Sequence, residues 1–238
     1  MDAADQGILV IIPTFKNGIS SFGFDTATQA SFLEILGHIQ KTQKVNGLKF
    51  YLGGFSIGGT CSIKYAELSI KNNYPVKPSA VFVIDAPLDF ERMYFNMLRE
   101  TKLPGSPEEA LAESNYILKR CITTFGGTPA DKLENYRALS PYSYNDSTQN
   151  AIKPLINLPL RLYTEPDILW WLKEGVDYSL MNSYDLAALY NELRRMGNKK
   201  AAFIPTQNAG RRKPNNTPHP HSWSIAEPKD LLKWLLSQ

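Results

Sequence analysis

The chain has 238 residues, 43% of them apolar, which is enough for one sizeable hydrophobic core. Its 26 basic and 23 acidic side chains leave a net charge of +3 and a pI near 8.7. These charges are spread along the chain, so nucleic-acid binding is not implied, and no apolar run approaches the ~20 residues of a membrane span.

The N-terminal "MDAADQGILVIIPTF" has no cationic start and no cleavage site, so no signal peptide is expected. Five short segments then read as buried strands, each rich in β-branched or aromatic residues: "ILVIIP" (8–13), "LKFYLGGF" (48–55), "AVFVID" (80–85), "LPLRLYT" (158–164) and "KAAFIP" (200–205). Helical patterns alternate with them. Phe32, Ile35, Leu36 and Ile39 follow the first strand at helical spacing, and Leu186, Leu189, Tyr190 and Leu193 precede the fifth. "EPKDLLKWLLSQ" closes the chain, with Pro228 where a first helical turn tolerates it. Strands that are apolar throughout and alternate with helices imply an α/β fold with a mostly parallel sheet covered on both faces.

We expect a single domain over 1–238, interrupted by a helical insertion over 88–153. The insertion carries "FERMYFNMLRE", "EEALAESNYILKRCITTF" and "DKLENYRAL", separated by "LPGSP" and "GGTP". Such an insertion between two core strands is expected to lie over the carboxyl edge of the sheet as a lid. Cys61 and Cys121 show no paired spacing and are expected as free thiols, Cys61 as a small core residue. Arg211, Arg212 and Lys213 sit among Asn, Gly and Pro and read as a solvated loop.

The stretch "KFYLGGFSIGGT" contains Gly54, Phe55, Ser56, Ile57 and Gly58, a GxSxG pattern between a strand and a helix. A sharp strand-to-helix turn forces its middle residue into a strained conformation, and glycines on both sides avoid collision. The serine hydroxyl is then held out at the sheet edge. The first free N–H groups of the following helix point to the same place, where they suit a developing negative charge.

On these residues the sequence, from about residue 8 to the end, resembles an α/β-hydrolase-fold serine hydrolase. That family orders its triad as serine, acid, histidine, with the acid after a later strand and the histidine before the final helix. The resemblance implies Ser56 as nucleophile. It places the acid after "LPLRLYT", where Asp167 is preferred over Glu165, with Asp177 a remote choice and Asp85, from the earlier strand, in reserve. His219 and His221 both lie before the last helix. His221 is preferred because His219 is clamped between prolines, while His38 falls out of order on a helix surface. The implied oxyanion donors are the backbone N–H of Ile57 and one from the loop after the first strand, Phe15 first and Thr14 next, although that loop lacks the family's glycine run.

Trp170 and Trp171 are expected either to wall a substrate pocket or to pack under a loop. Neither a metal nor an organic cofactor is implied, since His219 and His221 have no third His or Cys ligand nearby in sequence and no phosphate or dinucleotide loop is present. The expected partner is a small-molecule ester, thioester or short peptide substrate. A non-catalytic binding member of the fold and an acyltransferase are the alternatives. The family usually has more strands before its oxyanion loop, so the sheet is expected to be short or the chain a piece of a longer product. A complete chain would be cytoplasmic; a missing upstream segment could carry an export signal.

Overall fold

The computed structural model describes residues 3–14, 22–43, 45 and 47–238. Four of the five predicted strands form: β1 (Tyr51–Phe55), β2 (Ala80–Ile84), β3 (Leu160–Thr164) and β4 (Ala201–Pro205). They pair in parallel in the order β1-β2-β3-β4, with Gly54 opposite Val83, Val83 opposite Leu162, and Leu162 opposite Phe203. Because the strands are all parallel, their carboxyl ends lie along one edge. Every residue that follows a strand emerges there.

The segment 8–13, expected as a strand, is not one. It has no ladder partner among the described residues, and its apolar residues from Leu9 to Ile12 face solvent, Ile12 being 89% exposed. A run of Ile, Leu and Val fits a pleated surface, but only a neighbour's N–H and C=O groups make it a strand. β1, the outermost member of the sheet order, is accordingly only half-buried along most of its length, whereas β2 is buried at four of its five positions.

Helices α1 (Thr26–Thr42), α2 (Ile57–Lys71) and α7 (Asn182–Arg195) cover the sheet. Phe32 and Leu36 of α1 pack with Tyr65 of α2, and Leu186, Leu189 and Leu193 of α7 close the main core with Val81, Val83, Leu160 and Leu162. The helical periodicity of both patterns is met by burial of these faces. Helix α8 (Pro228–Leu236) ends the chain, opening with Pro228 in its first turn.

Between β2 and β3 lie α3 (Phe90–Glu100), α4 (Glu108–Phe125) and α5 (Pro129–Leu139). They share an aromatic cluster of Phe90, Tyr94, Phe125 and Tyr136 with Phe22 and Phe24 from the segment before α1. The Phe125 and Tyr136 rings stack with centroids 3.9 Å apart. Ile57, the first residue of α2, packs against this cluster, which therefore stands beside the carboxyl edge at the start of α2.

Two glycines let α2 approach the sheet. A Cβ on Gly54 would lie 2.2 Å from the Gly58 carbonyl carbon, and one on Gly59 would lie 2.7 Å from Ala86 Cβ. Gly58, expected to be needed by the turn, has open space around its Cα. The tight second position is one residue later. Replacing Gly54 by Ala should destabilise the protein by at least ~2 kcal/mol, since backbone must move. Gly58→Ala should stay within about 1 kcal/mol of the native chain. Denaturant melts of the two variants check this pair.

Helix α2 also buries a lysine beside a glutamic acid. Lys64 Nζ donates to the carbonyls of Ala138 (2.9 Å) and Ser140 (3.3 Å) at the end of α5 and lies 3.3 Å from Glu67 Oε2. Burial pushes the Glu67 carboxyl up to about 8, with Lys64 only partly opposing it. A folded-state value above the unfolded one means that the folded chain holds the proton more tightly. That contribution is full below about pH 4.5 and is lost as pH rises toward 8. The melting temperature of Glu67→Gln minus that of the native chain should therefore rise between pH 5 and pH 8.

Candidate active site

Ser56 sits between β1 and α2 with φ 52° and ψ −127°, a conformation that L-residues rarely adopt. Such a backbone costs about 1–3 kcal/mol and persists because its surroundings leave no alternative. Here the surroundings are specific. Ser56 N–H donates to Ile84 O (2.9 Å), its carbonyl accepts from Gly59 N–H (2.8 Å), and Gly54 lets Gly58 pass close by. Among the described residues Ser56 Oγ has no hydrogen-bond partner, not even as a cap of α2. Ile57 opens the helix, so its N–H is one of the donors a helix leaves unsatisfied at its start.

A second strained residue stands at the end of the neighbouring strand. Asp85 has φ 44° and is 5% exposed. Its N–H donates to Tyr163 O (2.9 Å) and its carbonyl accepts from Asn182 Nδ2 (2.9 Å). Its carboxylate accepts at Oδ1 from Thr164 Oγ1 (2.9 Å), which in turn lies 2.6 Å from Ser183 Oγ. The other oxygen, Oδ2, is 2.6 Å from Nδ1 of His221. Thr60 Oγ1 of α2 donates to Pro87 O (2.7 Å), tying the helix behind Ser56 to the turn that carries Asp85.

Of the acids weighed from the sequence, Asp85, held in reserve, pairs with His221, and Asp167, the preferred one, does not. Asp167 caps helix α6 (Ile168–Lys173), accepting from Trp170 N–H at 2.9 Å. Its side chain borders a cleft of about 470 Å³ at the carboxyl ends of β3 and β4, lined also by Pro166, Ile168 and Thr206. Asp177 accepts from Ser179 N–H (2.7 Å) and pairs with Arg99, far from the histidine in its bonding. Together with its hydrogen bonds to Ser179, that pairing holds its carboxyl below the usual range despite partial burial.

Glu165, the other acid weighed after the third core strand, has a positioning role. Its buried carboxylate accepts from Thr206 Oγ1 (2.9 Å), Ala209 N–H (2.9 Å) and Gly210 N–H (3.0 Å), and so pins the loop after β4. That loop leads into a two-stranded ribbon, β5 (Arg211–Arg212) paired antiparallel with β6 (Thr217–Pro218). His219 N–H donates to Gly210 O (3.1 Å), and a Cβ on Gly210 would strike His219 O at 2.3 Å. The basic cluster read as a solvated loop is therefore partly structural: Arg212 donates to the carbonyl of His221 from Nε (3.3 Å) and Nη2 (3.2 Å).

The His221 ring lies against Phe55, the residue before Ser56, with centroids 4.3 Å apart. This brings the imidazole to the strand end that presents Ser56, with no hydrogen bond between His221 and Ser56 Oγ among the described residues. With Nδ1 turned to a carboxylate, Nδ1 carries the proton and Nε2 has a free lone pair. His219 is placed differently. Its ring packs on Trp170 (4.6 Å) and Trp171 (5.8 Å), and its buried Nδ1 has no hydrogen-bond partner among the described residues. Burial, then the charges of Arg212 and His221, pull it down to about 4, so it is neutral at pH 7. Trp170 and Trp171 thus wall His219 beside the His221 loop.

The base of the insertion is locked to α7. Asp185 accepts from Leu88 N–H (2.8 Å) and Asp89 N–H (3.0 Å) and pairs with Arg92 Nε at 2.6 Å. Asp89 caps α3, accepting from Arg92 N–H (3.0 Å), and receives Tyr144 N–H (2.8 Å). Burial and the nearby Asp185 charge raise its carboxyl to about 6.

The remaining expectations fall as follows. His38 is exposed on α1. Cys61 and Cys121 are free and buried, and burial raises both thiols to about 12, which leaves them inert. Phe15 lies outside the described residues, and Thr14 is exposed. Among the described residues no group of three His, Cys, Asp or Glu could hold a metal ion, and no helix is long and apolar enough to cross a membrane. Thr164, Ser183, Asn182 and Arg212, which hold Asp85 and the histidine loop, carry no local sequence signal for those roles.

No protein-family model matches this chain, and none of the curated proteins does. Solved structures do. Carboxyl esterase 2 from the mycorrhizal fungus Tuber melanosporum superposes with a TM-score of 0.51 at 16% identity, over 88% of this chain and 60% of that one. VinJ gives 0.43 at 14% identity (90% and 73% covered), and the Vlm2 thioesterase domain 0.34 at 13% (88% and 73%). The chain thus spans about 60% of the length of the fungal esterase. The parallel four-stranded sheet, its strand-turn-helix at Ser56 and the likeness to that esterase identify an α/β-hydrolase fold.

Proposed function

We propose that this chain is a serine hydrolase that cleaves a carboxylic ester, thioester or short peptide amide through an acyl-enzyme on Ser56. One contact carries the reading: Asp85 Oδ2 and His221 Nδ1, 136 residues apart, meet at 2.6 Å on the edge that presents Ser56. A carboxylate buried against an imidazole sets its tautomer and stabilises the imidazolium that forms during acyl transfer.

In this reading His221 Nε2 removes the Ser56 Oγ proton as the oxygen attacks the carbonyl carbon. The carbonyl electrons collapse back, the bond to the leaving group breaks, and His221 returns the proton to the departing oxygen, sulfur or nitrogen. A water, deprotonated by the same nitrogen, then releases the acid and restores Ser56. The Ile57 N–H at the start of α2 donates to the oxyanion. In this reading a hydrogen bond from Ser56 Oγ to His221 Nε2 forms when substrate is bound. Ester hydrolysis is supported by the likeness to the carboxyl esterase, while the insertion α3 to α5 supplies the wall nearest Ile57.

A fluorophosphonate probe should label the native protein and fail to label Ser56→Ala and His221→Ala; a folded native chain that resists labelling would sink the proposal. Asp85→Asn should lower kcat on a short-chain aryl ester by about 10⁴-fold, with Asp167→Asn within about threefold of native. Equal losses would remove Asp85 from the acid role. Glu165→Gln, which weakens the clamp on the histidine loop, should cut kcat by about 10²-fold through misplacement of the imidazole, with little change in melting temperature.

A further inference from the structure

The hydroxyls behind Asp85 form a one-way chain. An ionised carboxylate only accepts, so the Thr164 hydroxyl hydrogen points to Asp85 Oδ1 at 2.9 Å. Thr164 Oγ1 must then accept from Ser183 Oγ, 2.6 Å away. Thr164 is closed to solvent and Ser183 is 3% exposed, so bulk water does not stand in for either donor. Among the described residues Ser183 Oγ has no further hydrogen-bond partner. A proton on Asp85 Oδ1 would force the chain to reverse and would leave the Ser183 hydrogen buried without an acceptor. A proton on Oδ2 would compete with the Nδ1–H of His221 that already meets that oxygen. The fold therefore favours the ionised carboxylate from both sides.

The first turn of α7 sets this chain in place. Asn182 holds the Asp85 carbonyl, Ser183 backs Thr164, and Asp185 accepts from Leu88 N–H and Asp89 N–H, so one helical turn grips the segment 85–89 at three points. The same helix start brings the positive end of its dipole to the buried anion. The other charged groups around the pair have tasks of their own. Asp185 is paired with Arg92 of α3, Asp89 caps that helix, Asp167 caps α6, and Glu165 at the end of β3 is bound by Thr206 and the amides of 209 and 210. Arg212 of the ribbon holds the His221 carbonyl, and His219 is neutral at pH 7. We propose that Thr164 and Ser183 are positioning residues that keep Asp85 ionised and thereby set the lower pH limit of the Ser56 hydrolase. This rests on the reading of Ser56 as nucleophile and Asp85 as its acid. The sign follows from charge. A donor to Asp85 stabilises the carboxylate most while His221 is neutral, because an imidazolium would already answer the anion. Loss of the donor therefore raises the proton affinity of the pair, and a protonated imidazole cannot serve as base.

The test follows two midpoints. One is the acid limb of kcat/KM on a short-chain aryl ester; the other is the nitrogen NMR titration of the His221 ring in a Ser56→Ala background, which needs no turnover. Thr164→Val removes the hydroxyl and keeps the shape of the side chain. It should move both midpoints to higher pH by roughly one unit, a tenfold change in proton affinity. Ser183→Ala should move them the same way by less, and it carries the test if Thr164→Val does not fold. Thr164→Ser, which keeps the donor, should bring both midpoints back to the native value. Midpoints that stay fixed in the folded variants, with only the melting temperature lowered, would mark a structural role and overturn the proposal. An equal shift in Thr164→Ser would overturn it too, since packing and not the hydroxyl would then be the cause. A shifted NMR midpoint without fluorophosphonate labelling of the native chain would keep the hydroxyl chain and discard the nucleophile. Labelling with fixed midpoints would do the reverse.

Discussion

The contact between the Asp85 carboxylate and the His221 imidazole is the constraint around which the carboxyl edge is arranged. A buried carboxylate is tolerable only when its lone pairs are met. Asp85 meets this condition with Thr164, itself backed by Ser183, and with the ring nitrogen. Asn182 and Tyr163 hold its backbone in a positive φ. The result is a fixed anion that orients a side chain arriving from a loop near the end of the chain. Loops rarely achieve such precision without anchors. Glu165 and Arg212 provide them, one clamping the amides at 209 and 210, the other gripping the carbonyl of residue 221 itself.

Strain is concentrated at the same edge. Ser56 and Asp85 end adjacent parallel strands, both in conformations that ordinary residues avoid, and they are coupled through α2, whose Thr60 reaches the turn after Asp85. The close approach of α2 to β1 and β2, made possible by Gly54 and Gly59, leaves neither residue room to relax. The proposed chemistry therefore rests on packing as much as on polar contacts.

Much of this was legible in the chain. Residues 49–60 show a strand, a glycine-flanked serine and a helix in succession, and that order alone marks an elbow. His221 could be chosen because only three histidines exist. The acid was harder. Asp85 and Asp167 each follow a strand, and a carboxylate one residue beyond Pro166 looks as available as one in "IDAPLD". The difference is local: Asp167 is consumed by capping α6, a use that a six-residue helix with no strong apolar period hides from view. The glycines show the same limit, for GxSxG points to Gly58 while the contact that needs a missing side chain is at Gly59.

The sequence by itself determined the alternation of strand and helix, the elbow and the pool of candidate side chains, because these depend on periodicity and on backbone preferences acting over a few residues. Only the tertiary structure decided that 8–13 forms no strand, which acid meets the imidazole, and that Glu165 and Arg212 anchor the loop that carries it. Pairing, burial and hydrogen-bond partners are relations between segments dozens of residues apart, and no property of either segment alone contains them.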